Sequence, residues 1–247
     1  MRRYKPDWIT KLPIAHRGLW SAEVPENSLA AFETAAAAGY AIEFDVTLSA
    51  DGRLVVSHDP TTGRMAGADI RVARSRGVDL AALKLGDGQT MPLLEDVLSL
   101  VAGRTPLLIE IKKGQRPATA GRALLAALDG YDGEMAAESF DPRVLAWLHR
   151  HAPWIPRVQA ASSLPEKRLP RWIRAMWRGM PLNWWARPQF IAYDLRDYPK
   201  PMLRFWKWAL GAPVVLWTVD SQDKLRQAQD FGCNVIFEQV RPTDHKA

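Results

Sequence analysis

Two carboxylates stand two positions apart in an otherwise apolar run, Ala41-Ile42-Glu43-Phe44-Asp45-Val46. Residues two apart on a β-strand point to the same side, so this spacing places Glu43 and Asp45 on one face. Two like charges held that close need a compensating cation. An exposed edge strand would show further polar alternation upstream, and Tyr40-Ala41-Ile42 does not supply it. The pattern therefore favours a hard divalent cation with oxygen ligands, Mg²⁺ or Ca²⁺.

A third carboxylate follows the same rule in the run Leu107-Leu108-Ile109-Glu110-Ile111-Lys112. Glu110 and Lys112 share one face of the predicted strand. Glu110 would complete the metal site, and the Lys112 ammonium would neutralise a bound anion. Taken alone, each of the two also fits an ordinary salt bridge or a solvated side chain.

Two histidines end two other apolar runs. His16 is followed by Arg17, whose guanidinium can hold phosphate or carboxylate oxygens in a fork, and His58 ends the run Leu54-Val55-Val56-Ser57. Both imidazoles can transfer protons near neutral pH. A single His-Arg pair is more often structural, but five such features in the first half of the chain argue against coincidence. His149 and His151 end a helical pattern and are interpreted as structural, because cations suit the helix dipole there.

These residue types together suit phosphodiester hydrolysis. The cation and the basic side chains would stabilise charge on the phosphoryl oxygens. One histidine would deprotonate the nucleophile while the other protonates the leaving alkoxide.

The chain that must position these residues alternates short apolar or β-branched runs with longer helical ones, which is typical of a parallel sheet covered by helices. Strands are predicted at Leu12–Ala15, Ala41–Leu48 continuing to Leu54–Ser57, Leu107–Ile111, Met135–Glu138, Arg157–Ala161, Phe190–Tyr193, Val214–Val219 and Val235–Phe237. Helices are predicted at Ser28–Ala38, Leu93–Val101, Thr119–Leu128, Arg143–His149, Leu169–Arg178, Met202–Leu210 and Gln222–Phe231.

Eight strands alternating with helices predict an α/β fold, a TIM (β/α)8 barrel, whose chemistry lies at the carboxyl ends of the strands. We expect one domain over residues 1–247, in which residues 61–92 form a small insertion after the second strand. Asn27 and Ser28 offer N-cap oxygens to the first helix, and Gly39 ends it. Gly211 and Gly232 end the last two helices in the same way.

The composition limits the class of protein. Hydrophobic residues make up 47% of the 247, which excludes a disordered chain. The single cysteine, Cys233, cannot form an intrachain disulfide, which indicates a reducing compartment. No uncharged run reaches the roughly 18 residues of a membrane span, and the N-terminus lacks the apolar core of a signal peptide. We expect a soluble, cytoplasmic protein.

The net charge of +6 is concentrated in one basic, tryptophan-rich segment. Residues 164–208 hold ten lysines and arginines, three acidic residues and six of the eleven tryptophans. Within 168–185, apolar residues recur at helical spacing, which fits an outer barrel helix packing on the sheet. The alternative is an interfacial helix on an anionic membrane surface, with Trp184 and Trp185 contributing. No recognition motif accompanies the charge, so a nucleic-acid partner is not expected.

Further short motifs follow one another along nearly the whole chain. In order they are Ala15-His16-Arg17-Gly18, Pro25-Glu26-Asn27-Ser28 leading to Ala31-Phe32, Ile42-Glu43-Phe44-Asp45-Val46, Asp51-Gly52, Val55-Val56-Ser57-His58-Asp59, Glu110-Ile111-Lys112, Ser139-Phe140-Asp141-Pro142 and Trp217-Thr218-Val219. As an ordered set they resemble the glycerophosphodiester phosphodiesterase family.

The resemblance implies a TIM barrel that hydrolyses glycerophosphodiesters to sn-glycerol 3-phosphate and an alcohol, with a bound divalent cation. By position it implies metal ligands at Glu43, Asp45 and Glu110, an acid–base pair at His16 and His58, and phosphate contacts at Arg17 and Lys112. In the family, the glycerol hydroxyl of the substrate is thought to attack phosphorus, and water then opens the cyclic phosphate.

The distal half of the chain departs from the family at several positions. Glu138 stands where Gln is common, Asp220 stands where Asn is common, and the last strand runs Phe237-Glu238-Gln239 where Thr-Asp is common. These departures bear on specificity for the alcohol or the glycerol. We expect the substrate pocket to be lined by Glu138, Phe140, Trp217 and Glu238.

Two alternative functions remain open. A lysophospholipase D-type hydrolase would act on lysophospholipids at a membrane surface, and this reading requires the tryptophan-rich segment to face the barrel mouth. A barrel that binds phospho-ligands or lipid surfaces without turnover would belong to another class. The two histidines argue against that class, because a pure binding module needs no proton shuttle.

Overall fold

Parallel strands close into a barrel in the computed structural model, which describes residues 5–86, 88–162 and 180–242. The strands are β1 Ile14–His16, β2 Ala41–Leu48, β3 Leu54–Val56, β4 Leu107–Ile111, β5 Met135–Ser139, β6 Arg157–Ala161, β7 Phe190–Asp194, β8 Val214–Val219 and β9 Asn234–Phe237. β1 pairs in parallel with both β2 and β9, which closes the barrel, while β3 runs antiparallel to β2 and extends it. The predicted eight-stranded (β/α)8 barrel is confirmed.

Helices cover the outside of the barrel. They are α1 Trp8–Lys11, α2 Leu29–Ala37, α3 Gly63–Ala66, α4 Gly77–Ala81, α5 Leu94–Val101, α6 Pro117–Ala127, α7 Pro142–His151, α8 Asn183–Ala186, α9 Pro201–Leu210 and α10 Gln222–Asp230. The four shortest were not predicted, because four or five residues do not establish a helical period. The predicted helix Leu169–Arg178 lies outside the described residues. No helix in the described ranges combines the length and the apolar character that crossing a membrane requires.

The barrel has an apolar lower half because inward positions alternate along each strand. Ile14, Ala41, Leu108, Ala136, Val215 and Ile236 pack together inside the barrel with Trp8 and Ile9 of α1. Outward residues such as Ile42, Phe44 and Ile109 pack instead with helix residues in the larger core between the sheet and the helices. The inward positions that follow toward the carboxyl ends are therefore free to carry polar side chains.

Residues 61–92 connect β3 to α5 and pack around their own apolar cluster. Val55 of β3 joins that cluster, whose other fully buried members are Val72, Leu80, Leu85, Met91 and Leu93. Isolated bridges between Thr61 and Arg71 and between Lys84 and Thr90 tie the segment to itself. This arrangement covers the side of the barrel at β3.

The contact between α6 and α7 depends on a residue without a side chain. A Cβ at Gly121 would lie 2.1 Å from Cε3 of Trp147. The Trp147 ring is in turn stacked on His151, with ring centroids 4.3 Å apart. The indole therefore occupies the space that a larger residue at position 121 would need.

We expect Gly121→Ala to lower the free energy of unfolding by about 1 to 3 kcal/mol through overpacking. This loss should outweigh the gain of about 1 kcal/mol in helix propensity. Urea denaturation monitored by circular dichroism measures it. In the Trp147→Ala background the same substitution should cost less, because the clashing ring is gone. A variant as stable as the parent would contradict the packing described.

Candidate active site

The predicted site residues meet at the carboxyl ends of the strands. They point into the barrel like the apolar layer below them, because they lie two or four positions further along the same strands. Glu43 and Asp45 follow Ala41 on β2, and Glu110 follows Leu108 on β4. A cavity of about 260 Å³ opens there. Its lining consists of His16, Arg17, Glu43, His58, Glu110, Lys112, Glu138, Phe140, Trp217, Thr218, Ile236 and Glu238. Ten of the eleven residues expected to form the site thus border one cavity, and the eleventh, Asp45, is completely buried and contacts both Lys112 and Arg17.

Three carboxylates form a tight cluster at this cavity. Glu43, Asp45 and Glu110 each offer an oxygen, and these oxygens lie within 4.8 Å of one another. Asp45 stands directly opposite Glu110 in the pairing of β2 with β4. All three residues are buried. Close burial of like charges is unfavourable unless cations compensate it.

Of the three carboxylates, Asp45 lies closest to most of the positive charge that the protein supplies. Lys112 Nζ lies 3.0 Å from Asp45 Oδ1 and 2.9 Å from Glu110 Oε1, and Arg17 Nε lies 3.2 Å from Asp45 Oδ2. The Asn27 side-chain amide donates to Asp45 Oδ2 at 3.0 Å. Burial alone would raise the pKa of Asp45, but Lys112 and Arg17 outweigh it and hold that pKa well below its usual range. Asp45 is therefore ionised.

The carboxylates of Glu43 and Glu110 have too little positive charge near them to offset their burial. Burial, reinforced by the charge of Asp45, raises the pKa of Glu110 to about 7. Burial and the charges of Asp45, Glu110 and Glu138 raise the pKa of Glu43 well above its usual range. The Glu43 carboxylate accepts a hydrogen bond from the Arg17 backbone N–H at 3.1 Å. Buried carboxylate oxygens short of positive charge fit a divalent hard cation such as Mg²⁺ or Ca²⁺.

A fourth buried carboxylate borders the cluster. Glu138 on β5 stands opposite Glu110 in the strand register, and its Oε2 has no hydrogen-bond partner within the described part of the chain. Burial and the charge of Glu110 raise the pKa of Glu138 well above its usual range. Beyond it, the rings of Phe140 and Trp217 meet edge to face, with centroids 5.6 Å apart. These side chains form the distal wall of the cavity.

The Nδ1 atom of each histidine is hydrogen-bonded to a carboxylate. His16 Nδ1 is hydrogen-bonded to Glu238 Oε1, and its Nε2 lies 3.8 Å from Glu43 Oε2. His58 Nδ1 is hydrogen-bonded to Asp59 Oδ1 at 2.8 Å. Burial lowers the pKa of His58, against the opposing influence of Asp45. Burial by itself would raise the pKa of Glu238, but the hydrogen bond from His16 lowers it, so this partner is ionised.

The turn after β1 holds Arg17 in a backbone conformation that side chains rarely adopt. Arg17 has φ 61° and Asn27 has φ 56°, both left-handed, and Asn27 N–H donates to Arg17 O at 3.0 Å. Such residues cost about 1–3 kcal/mol each and persist where the surroundings determine them. Gly18 must be a glycine, because a Cβ there would lie 2.8 Å from the Ala31 backbone.

The sequence did not predict which residues hold the site side chains in place by hydrogen bonds. Ser28 caps α2 by accepting from Ala31 N–H, whereas Asn27, also predicted to cap this helix, donates its side-chain amide to Asp45. Glu26 accepts from Arg17 at 2.8 Å and from Arg64 at 2.7 Å. The motif Pro25-Glu26-Asn27-Ser28 indicated the place but not these partners, because Asp45, Arg17 and Arg64 lie in other segments of the chain.

Asp220, which stands where Asn is common in the family, lies apart from the cavity. Its carboxylate accepts from Lys224 at 2.6 Å, and Asp220 is not among the cavity residues.

The basic, tryptophan-rich segment 168–185 falls mostly outside the described residues, which resume at 180. In the described part, Ala186 of α8 packs on Leu145 and Ala146 of α7, and the Trp184 ring meets Phe205 and Trp206 of α9. Residues 180–185 contribute nothing to the cavity lining. This part of the segment lies on the outside of the barrel, between α7 and α9.

The fold and the cavity define a (β/α)8 barrel with an acidic, histidine-bearing site at the carboxyl ends of its strands. The chain belongs to the glycerophosphoryl diester phosphodiesterase family, whose sequence model matches residues 16–239.

Two curated relatives with related names align with part of the chain. A glycerophosphodiester phosphodiesterase of Caldanaerobacter subterraneus is 41% identical over 113 residues, which cover 42% of this chain and 46% of that protein. A probable glycerophosphodiester phosphodiesterase of Mycobacterium tuberculosis is 39% identical over 90 residues, which cover 36% and 34%. The chain thus spans about a third to a half of the length of these relatives.

Solved structures align over nearly the whole chain. A putative glycerophosphoryl diester phosphodiesterase of Silicibacter pomeroyi is 27% identical with a TM-score of 0.75, over 93% of this chain and 90% of that one. A phosphodiesterase of Oleispira antarctica, solved with its product sn-glycerol-3-phosphate, is 23% identical with a TM-score of 0.75, over 92% and 93%. This second likeness bears on the fold alone.

Because Glu43 is buried among like charges, we expect Glu43→Gln to stabilise the protein in chelator, by about 1 to 3 kcal/mol. Urea denaturation at constant neutral pH with EDTA measures this. The matched control is Glu33→Gln, which removes an exposed carboxylate paired with Arg104 and should leave the free energy of unfolding nearly unchanged, because solvent screens exposed pairs. A Glu43→Gln protein less stable than the parent in chelator would show that the cluster is already compensated.

Proposed function

We propose that the chain is a metal-dependent glycerophosphodiester phosphodiesterase, which hydrolyses its substrate to sn-glycerol 3-phosphate and an alcohol. The observation that supports it most is the meeting of three buried carboxylates, two histidines and two cationic side chains at one cavity. Family membership agrees with this reaction.

In this proposal Glu43, Asp45 and Glu110 hold a divalent cation, Mg²⁺ or Ca²⁺. The donor set consists of carboxylate oxygens, which these ions prefer. When bound, such a cation supplies Lewis-acid stabilisation of the charge on the phosphoryl oxygens. Arg17 and Lys112 border the same cavity and contact the phosphate in this proposal. Asp45 and Glu110 raise the pKa of Lys112 against the effect of burial, so its ammonium stays charged.

The histidines move the protons. One of the two takes the proton from the attacking hydroxyl as its oxygen bonds to phosphorus, and the other gives a proton to the alkoxide as the old P–O bond breaks. If the glycerol hydroxyl of the substrate attacks first, water opens the cyclic phosphate in a second step with the proton roles reversed. Both His16 and His58 border the cavity, as this exchange requires.

In this proposal, the part of the substrate beyond its phosphate binds against the cavity wall that Glu138, Phe140 and Trp217 form. Phe140 and Trp217 offer ring surface, and Glu138 offers a carboxylate oxygen to hydroxyl groups. A lysophospholipid would need an apolar surface leading to this cavity, and residues 180–185 of the tryptophan-rich segment do not border it. We favour a water-soluble diester as the substrate.

We expect release of glycerol 3-phosphate from glycerophosphodiesters to stop in EDTA and to return with Mg²⁺ or Ca²⁺. A coupled assay for glycerol 3-phosphate, run on a panel of soluble diesters and lysophospholipids, measures this. Glu43→Gln should not recover with metal, whereas Glu33→Gln should behave like the parent. Full activity in chelator would refute the metal site. Faster turnover of lysophospholipids in vesicles than of soluble diesters would favour the membrane reading.

We expect His16→Ala and His58→Ala each to lower kcat by on the order of 10²–10⁴, because each removes one proton transfer. The double variant should lose less than the product of the two losses, since residues that act as a unit fail together. His151→Ala is the control, because His151 ends α7 away from the cavity. Near-normal turnover by His58→Ala on a substrate with a poor leaving group would remove that residue from the mechanism.

A further inference from the structure

We propose that Glu238 is a positioning residue that sets the orientation and tautomer of His16, an inference that rests on the proposed function. Glu238 Oε1 is hydrogen-bonded to His16 Nδ1. The two residues are 222 positions apart in the chain. They become neighbours because β9 pairs in parallel with β1, where Phe237 stands opposite Ala15.

The hydrogen bond to Glu238 occupies Nδ1 of His16 and leaves Nε2 for proton transfer. A carboxylate on Nδ1 holds a proton there, so the lone pair resides on Nε2. His16 Nε2 lies on the side of the carboxylate cluster, 3.8 Å from Glu43 Oε2. Without Glu238 the ring could rotate or adopt the other tautomer, and Nε2 would no longer present its lone pair to the cavity.

The backbone holds Glu238 in place for this task. Its N–H donates to Val219 O at 2.9 Å, which extends the β8–β9 pairing by one residue beyond Phe237. Gln239 follows with φ 56°, so the chain turns sharply just after the carboxylate. The Glu238 side chain is only one-fifth exposed.

His58 shows the same arrangement built locally. Its Nδ1 partner, Asp59, is the next residue in the chain, and Asp59 is itself held by Arg64 Nε at 2.6 Å. Both proposed proton-transfer residues therefore have a carboxylate hydrogen-bonded to Nδ1. Glu238 supplies for His16 what Asp59 supplies for His58.

The test compares Glu238→Ala with its parent on a soluble glycerophosphodiester. We expect kcat to fall about 10- to 100-fold, as for other residues that orient a functional histidine, with KM changed by less than about threefold. In the His16→Ala background the same substitution should lower kcat by less than about twofold. Glu238→Asp keeps the charge on a shorter side chain and should restore part of the loss.

Asp220→Asn is the matched control. Asp220 is a carboxylate close enough to influence Glu238 electrostatically, but it bonds to Lys224 and lies outside the cavity lining. Its kcat should equal that of the parent. A fall of kcat in Asp220→Asn like that in Glu238→Ala would show a general charge effect and overturn the inference.

Two other outcomes also overturn it. A rise of KM at unchanged kcat would make Glu238 a substrate contact, and a full loss in the His16→Ala background would make it independent of the histidine. Histidine-ring ¹⁵N spectra at one fixed pH give a readout without substrate: the Nδ1–H form of His16 should dominate in the parent and decline in Glu238→Ala. If the parent hydrolyses no diester, the proposed function fails, and the spectra still decide whether Glu238 sets the tautomer.

Discussion

The crowding of negative charge at the carboxyl ends of β2, β4 and β5 is the constraint on which the site depends. Glu43, Asp45, Glu110 and Glu138 are all buried there, and Arg17 and Lys112 compensate mainly Asp45. Burying unpaired carboxylates is costly, so a sequence under selection for stability alone would not place them together. The protein itself leaves this negative charge incompletely neutralised, and the proposed cation would neutralise it.

The barrel supplies what such a cluster requires. Eight strands in register bring the ends of distant segments to one rim, and the alternation of side chains puts an apolar layer directly beneath the polar one. That layer and α1 close the barrel below the cavity. The site therefore has an apolar floor, above which the interactions of its charges are strong.

Around the cluster, a set of supporting contacts orients the groups that would do chemistry. Asn27 holds Asp45, Glu26 holds Arg17, and the two histidines rest on Asp59 and Glu238. The left-handed backbone at Arg17 and Asn27 shows that this turn is determined by its contacts. Reactivity at such a site depends as much on these fixed orientations as on the reacting residues themselves.

Much of this molecule was readable from the sequence, because local spacing determines local geometry. The two-residue period placed Glu43 with Asp45 and Glu110 with Lys112, and the alternation of strands and helices predicted the barrel. Only the tertiary structure decided that Asn27 turns from helix capping to Asp45 and that Glu238 meets His16. Those contacts join segments that are neighbours only after the barrel closes, and no spacing along the chain encodes a partner on another strand.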